Sequence, residues 1–386
     1  MQDTRFIKSI RLRNLLSFGP ESEAIELGPL NVLIGPNGSG KTNFIEAISI
    51  LQAAPRDIAM PFREGGGTRE WIWKGNDENS AEIQIDFISS VNGTIKYNLT
   101  FNSYSLDRLY IKSESALNEV GNILFKSQNG KLIELGIDEI VTPDVKAFND
   151  FSGRSQLSLF ANLSPYSELY ALVNSLLRIK IYDDIACGIS AVKQSQKTDW
   201  PSDFLLESMS NFALVLHDLK DSRDSGEKIN KTMRVFYERF ESIKTLVTGG
   251  SVQILFYEKG CKEPIPAIRL SDGTLKFLVL LTILCHPSPP PLICIEEPET
   301  GLHPDIIPTI AELLVEASKR TQLIVTTHSD ILVSALSEQP ESILVCKHDV
   351  QGTHIKRLDK KRLKKWLENY KLGELWLKGE IGGNRW

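Results

Sequence analysis

Long apolar runs are missing from this sequence of 386 residues. The longest, such as 277–285, stop well short of the roughly 18 residues that cross a bilayer, and no apolar stretch follows the first charges as it would in a secretory leader. The expectation is a protein with no membrane partner that remains in the cytoplasm. Cysteine is scarce: Cys187, Cys261, Cys285, Cys294 and Cys346 lie far apart without a CxxC. That excludes a zinc knuckle and a disulfide framework and predicts buried, reduced thiols. An excess of positive charge is also missing, since 44 Lys and Arg face 49 Asp and Glu for a net charge of −5. A globally cationic nucleic-acid binder is thereby disfavoured, although a local basic patch could still grip phosphate. There is no internal repeat, no low-complexity segment and no sustained heptad, so a long coiled coil is excluded as well. What remains is a chain with 41% apolar residues, enough to bury a sizeable core in one large or two moderate domains.

The hydrophobic period changes along the chain. Residues 4–35 read as strand, turn, strand, with "NVLI" a buried strand entering a glycine-rich turn. From about 80 to 140 the period is two. Ile83, Ile85 and Phe87 share one face, as do Ile95, Tyr97, Leu99 and Phe101, and Asn92-Gly93 and Asn129-Gly130 are hairpin turn signals. This predicts an antiparallel meander. From about 155 to 248 the period is helical, with Leu169, Leu172, Val173, Leu176 and Leu177 as one stripe and Met233, Phe236, Phe240 and Ile243 as another. Beyond it, apolar strands alternate with helices through "PLICIEE" and "QLIVTTH", the pattern of a parallel sheet.

Four short stretches carry chemistry. Gly35-Pro36-Asn37-Gly38-Ser39-Gly40-Lys41-Thr42 fits G-x-x-x-x-G-K-[ST] between a strand and a helix. Its glycines let backbone N–H groups turn inward around phosphate oxygens, Lys41 reaches the β and γ phosphates, and the Thr42 hydroxyl can hold Mg²⁺. In "PLICIEEPETGLHP" an apolar strand delivers Glu296 and Glu297 to the carboxyl end of the sheet, where ligands bind. Glu296 is placed to support Mg²⁺ through its water shell and Glu297 to polarise the water that attacks a γ-phosphate; the plainer alternative is a pair of solvated acids ending a strand. "LIVTTHSD" brings His328 to the same sheet edge as a candidate γ-phosphate sensor, against the reading of a structural histidine. "RLSDGTLKF" sets Ser271, Asp272 and Gly273 before a helix whose N-terminus can bind an anion. One protomer already has its phosphate loop, so this second phosphate-binding end makes sense across a dimer.

In this order the four stretches resemble the ATP-binding cassette superfamily, in the chromosome-maintenance and repair branch that contains RecF, Rad50 and the OLD-family ATPases. "RLSDGTLKFL", "IEEPETGLHP", "TTHS" and the terminal "LGELWLKGEIGGNRW" are most similar to the stand-alone AAA_21 type. The resemblance covers roughly 1–75, 252–345 and the tail; over 76–251 it is topological only. It implies an α/β ABC-ATPase head, a mixed sheet with a P-loop parallel core and an antiparallel β-meander, carrying a helical insertion. The chain then divides into an N-terminal lobe at 1–150, an insertion at 151–250, a C-terminal lobe at 251–345 and a tail at 346–386. It further implies two heads that close on two ATP molecules with Mg²⁺. Asn37, Gly38, Ser39, Gly40, Lys41 and Thr42 would hold phosphate and metal in one protomer, Ser271 and Gly273 of the other would contact the γ-phosphate, and Glu297 and His328 would complete hydrolysis. Glu296 stands where many relatives carry Asp, and Asp272 replaces the first glycine of the commoner signature, so its acid must point away from phosphate. No Q-loop glutamine can be assigned; Gln156 in "GRSQLSLF" is a candidate that its context does not favour.

The output of such an ATPase has two readings. One is a DNA-associated defence or repair ATPase acting with a separate nuclease or effector, because the roughly fifty residues after His328 leave no room for the Toprim nuclease that OLD relatives carry. The basic run Lys356, Arg357, Lys360, Lys361, Arg362, Lys364 and Lys365 would then contact DNA, or it is merely a solvated helix face. The other is a nucleotide-dependent scaffold or sensor that binds a protein effector without DNA. A transporter ATPase fits less well, since neither the insertion nor the tail resembles those that dock on a permease.

Overall fold

Alternation along 80–136 becomes a sheet whose one face is core. Ala81, Ile83, Ile85 and Phe87 are buried on strand Ser80–Ser89, and Ile95, Tyr97, Leu99 and Phe101 on strand Gly93–Tyr104 beside it. The computed structural model describes residues 4–76, 80–89, 93–136, 153–162 and 168–383. Its largest sheet has seven strands in the order Ile25–Glu26, Ile7–Arg13, Ser80–Ser89, Gly93–Tyr104, Arg108–Leu117, Ile123–Gln128 and Lys131–Leu135. Every pairing is antiparallel. Asn129 (φ 52°) and Gly130 (φ 73°) make the two-residue turn that the Asn-Gly pair predicts. Asn92 of the other expected turn lies outside the described residues, though Ser89 and Gly93 do pair across it.

The second sheet has six strands in the order Gly352–Arg357, Ile343–Asp349, Leu30–Ile34, Gln322–Thr326, Leu292–Glu296 and Lys180–Tyr182. Only the first is antiparallel to its neighbour. Strands Leu30–Ile34 and Gln322–Thr326 are buried at every position, because both faces of the sheet are covered. Val32, Ile34, Ile295 and Val325 enter one hydrophobic core with the helix Asp272–Leu284, whereas Leu33, Cys294, Ile324 and Leu344 enter a second core shared with the helix Lys41–Ala53 and the antiparallel sheet.

The expected helical stretch 155–248 does contain the helices Glu168–Leu177, Ile185–Val192, Phe212–Asp221 and Arg223–Phe236. It also contains strands. Lys180–Tyr182 joins the parallel sheet, and Phe240–Thr248 pairs with Ser251–Glu258 in a smaller sheet. The stripe through Met233, Phe236, Phe240 and Ile243 is therefore half helix and half strand. Tyr237 takes extended angles (φ −132°, ψ 100°) and ends the helix. The run after it is rich in β-branched residues and turns back at Gly249-Gly250, both in the left-handed region, so strand pairing wins over the helical spacing.

No described helix is long and apolar enough to cross a membrane. All five cysteines are free thiols, but the expectation of burial holds only for Cys285, Cys294 and Cys346; Cys187 and Cys261 are exposed.

Candidate nucleotide site

Strand Leu30–Ile34 ends in the glycine turn, and the helix Lys41–Ala53 starts from Gly40 (φ 93°). The loop is held by close approach on two sides. A Cβ at Gly35 would sit 2.5 Å from Cys346 O and 2.7 Å from Ser39 Oγ, and one at Gly40 would overlap Thr353 Oγ1 and lie 2.7 Å from Ser17 Oγ. Thr353 Oγ1 bonds both Ser17 Oγ (2.8 Å) and Ser39 O (3.1 Å), so the loop's back is pinned while Asn37 and Gly38 face solvent. Lys41 is buried, and its Nζ donates to Gly35 O (2.9 Å) and Pro36 O (3.0 Å). Burial holds its ammonium below the usual lysine range, against the opposing pull of Cys346, Glu297 and Glu296. The Ser39 Oγ is buried without a hydrogen-bond partner among the described residues. A charged donor resting on weak carbonyl acceptors at a helix N-terminus fits a phosphate chain, whose oxygens are stronger acceptors.

Thr42 Oγ1 donates to Glu296 Oε2 at 3.0 Å across the sheet end. Burial pushes the Glu296 carboxyl up to about 6; the Thr42 hydrogen bond works against this, and Asp183, Glu46 and Glu297 add to it. Among the described residues no cluster of three or more His, Cys, Asp or Glu could hold a metal ion. A cation here would have to be shared between Thr42, Glu296 and phosphate oxygens, which is how Mg²⁺ is usually held on a nucleotide.

Glu297 is a non-glycine residue in the left-handed region (φ 41°), a conformation that the surroundings must enforce. Its N–H donates to Thr326 O (3.1 Å). Thr300 Oγ1 donates to its Oε2 (3.0 Å), and His328 Nε2 lies 3.6 Å from its Oε1. The turn is also braced from below. Lys276, buried on the helix Asp272–Leu284, donates to Thr300 O (2.6 Å) and at longer range to Glu297 O (3.4 Å). Glu299 accepts from Thr327 Oγ1 (2.7 Å) and from the His328 N–H (2.9 Å), which ties the carboxylate turn to the histidine turn.

Lys41, Thr42, Glu296, Glu297 and His328 thus come together at the carboxyl end of the parallel sheet. Ser271 and Gly273 stand at a helix end of their own. The Ser271 hydroxyl accepts from Thr274 N–H (3.1 Å) as the N-cap, and a Cβ on Gly273 would lie 3.2 Å from Gly301 O. Asp272 pairs with Lys193 (2.5 Å). Gln156 is not at this cluster: it is buried in the meander lobe, its amide donating to Gly130 O. Reading the sequence missed Glu299, Lys276 and Asp183. Glu299 sits inside "IEEPET" and the Lys276 cation inside an apolar helix, and both were available signals. Asp183 follows a strand of three residues that leaves no periodic trace.

No curated protein sequence matches the chain. Among solved structures it is similar to an SMC head bound to the C-winged helix domain of ScpA, at 15% identity and a TM-score of 0.52 over 92% of this chain and 99% of that one. It is also similar to the Pyrococcus furiosus Smc head with an extended coiled coil bound to the ScpA C-terminal domain, at 16% identity and a TM-score of 0.50, covering 94% and 98%. The Smc head with coiled coil and joint from Pyrococcus yayanosii gives 12% identity and a TM-score of 0.50, covering 94% and 99%. The fold is that of an ABC-type ATPase head. The family AAA_21, described as "AAA domain, putative AbiEii toxin, Type IV TA system", matches residues 30–334, and the chain belongs to that family.

Proposed function

We propose that this protein is an ATP-hydrolysing head that closes face to face with a second copy over two ATP molecules, as the ATPase subunit of a DNA-associated defence or repair system with a separate nuclease or effector. The observation that carries the ATPase reading is the convergence of Thr42, Glu296, Glu297 and His328 beside Lys41. On binding, Lys41 exchanges the Gly35 and Pro36 carbonyls for β and γ phosphate oxygens. Thr42 and Glu296 would hold Mg²⁺, which would supply neutralisation of charge on those oxygens. Glu297 accepts a proton from the attacking water, and its strained backbone and the Thr300 bond fix where its carboxylate stands. His328, hydrogen-bonded through its backbone to Glu299, faces the same carboxylate and senses the γ-phosphate. Ser271 and Gly273 of the second head supply N–H groups to that phosphate.

One observation favours the second reading, a nucleotide-dependent scaffold without DNA contact. Part of the basic tail is already engaged: Arg357 donates to Glu341 O, Glu26 O and Asn31 Oδ1, and Lys360 to Glu338 O. Arg362 Nε lies 3.6 Å from Asp359 Oδ2, which leaves Lys361, Lys364 and Lys365 along the exposed helix Lys360–Leu367 to meet a nucleic acid.

The test of the ATPase reading is Glu297→Gln, which keeps the shape but cannot take a proton. It should bind Mg·ATP like wild type and hydrolyse it about 10²- to 10⁴-fold more slowly. Wild-type turnover by this variant would remove Glu297 from the chemistry.

A further inference from the structure

The C-terminal segment reaches back to the phosphate loop. Gly383 adopts φ 65°, and a Cβ there would lie 2.8 Å from Val345 Cγ1, 3.5 Å from Gly35 Cα and 3.6 Å from Cys346 O. The same Cys346 carbonyl stands 2.5 Å from the position a Gly35 Cβ would take, so Gly383 lies beside Cys346 and Gly35 at the root of the loop. Gly383 is fixed in turn by Trp376, a fully buried indole whose Nε1 donates to Gly383 O at 2.5 Å.

The other side of the same short helix, Leu372–Leu377, touches the second half of the site. Gly373 packs so tightly on Asp330 O and Ser334 Oγ that no Cβ fits, and Leu372 N–H donates to Ser337 Oγ (2.9 Å). Asp330 and Ser334 belong to the helix Asp330–Ala335, which Ser329 caps directly after His328. The tail therefore packs on the helix that follows the histidine through Gly373 and lies beside the root of the phosphate loop through Gly383. The solvent-facing helix Lys360–Leu367 precedes it by a few residues, and Lys378 stacks over Tyr370 (3.7 Å) between them.

We propose that Trp376 and Gly383 are positioning residues for the nucleotide site, and that the tail is a mechanical tie which sets the phosphate loop. The use of the tie rests on the nucleotide reading above; its grip on the loop does not. Trp376 holds Gly383 beside the loop root while Gly373 of the same six-residue helix is packed with no room for a Cβ, and densely packed interiors transmit strain because they compress little. Gly35, whose carbonyl Lys41 holds, is the loop residue that lies beside Gly383.

Two neighbouring glycines separate this from a merely structural tail. Gly382 (φ 77°) and Gly383 (φ 65°) carry the same left-handed strain when substituted, but a Cβ on Gly382 crowds the flexible end of Lys347 at 2.7 Å, whereas one on Gly383 crowds Val345 Cγ1 on the strand that pairs with the one entering the loop. Hydrogen exchange of the loop peptide 33–44 should rise in nucleotide-free Gly383→Ala and in Trp376→Phe, which keeps an aromatic ring and loses the donor, and should stay at the wild-type rate in Gly382→Ala. With Mg·ATP, Gly383→Ala should raise KM roughly tenfold at unchanged kcat, with Gly382→Ala within about twofold of wild type. Equal loop exchange in all four proteins overturns the tie. Failure of the wild type to bind ATP, measured in the same preparations, overturns the nucleotide reading and leaves loop exchange alone to decide whether the tie exists.

Discussion

Thr42 Oγ1 donates to Glu296 Oε2 over 3.0 Å, although 254 positions separate them in the chain. One residue opens the phosphate-loop helix and the other closes a strand two places away in the sheet. Thr42→Val keeps the branched shape and removes only the oxygen. Because Lys41 and the loop amides are untouched, the variant should still take up ATP. It should need about ten- to a hundredfold more Mg²⁺ for half-maximal turnover, the range seen when metal support is weakened. Titrating Mg²⁺ at saturating ATP checks this, and an unchanged midpoint would move the metal elsewhere.

Ser271 tests whether two heads share the site. Its hydroxyl caps its own helix, so a bulky Ser271→Arg change at that surface leaves the phosphate loop alone. The Glu297→Gln protein should form or tighten a head-to-head dimer on adding ATP, seen by light scattering, and the Ser271→Arg, Glu297→Gln double variant should not. Persistent ATP-driven closure in the double variant would leave a self-contained enzyme.

Far from this site, Glu114 is fully buried and accepts from Tyr97 OH (2.9 Å), Ser155 Oγ (2.5 Å) and Gln156 N–H (2.7 Å). Glu114→Ala strands three buried donors and should cost about 3 kcal/mol or more. The pH dependence has a definite sign. Burial raises the Glu114 pKa above the ordinary carboxylate value, outweighing the hydrogen bonds from Ser155, Gln156 and Tyr97 that lower it. A raised acid binds its proton more tightly folded than unfolded, so its contribution is complete below the unfolded pKa and is lost as pH rises through the folded one. The melting temperature of wild type minus that of Glu114→Gln should therefore increase as pH is lowered from 7 toward the ordinary carboxylate range. A flat difference would mean the group is ionised in both states.

Lys361, Lys364 and Lys365 decide between the two outputs. Phosphate contacts release counterions, so reversing these charges should weaken DNA binding and flatten its dependence on salt. If ATP-loaded protein binds no DNA at any ionic strength, the scaffold reading takes over.

Much of the candidate site was legible because its chemistry is local: eight consecutive residues make the glycine-rich loop, and Glu296-Glu297 and Thr327-His328 each come at the end of a short, mostly apolar strand. What escaped is what only tertiary packing decides. A spacing of three, four and three from Met233 to Ile243 suits one helix face, yet Tyr237 breaks it and a partner strand claims Phe240 onward. Lys276 looks like a cation in the wrong place until Thr300 O is seen above it. Arg357 belongs to a basic run by composition but to three oxygens by structure.

The parallel sheet also sets an order of events during synthesis. Strand Leu30–Ile34 leaves the ribosome early, yet its partners on either side are Gln322–Thr326 and Ile343–Asp349. The glycine loop, pinned against Cys346 and Thr353, takes its shape only after those residues have emerged. Pairing over such separations is slow, and the nascent apolar strand waits exposed in the meantime. Nucleotide can therefore reward only a chain made past Thr353, which makes ATP in the refolding buffer a late stabiliser rather than a template.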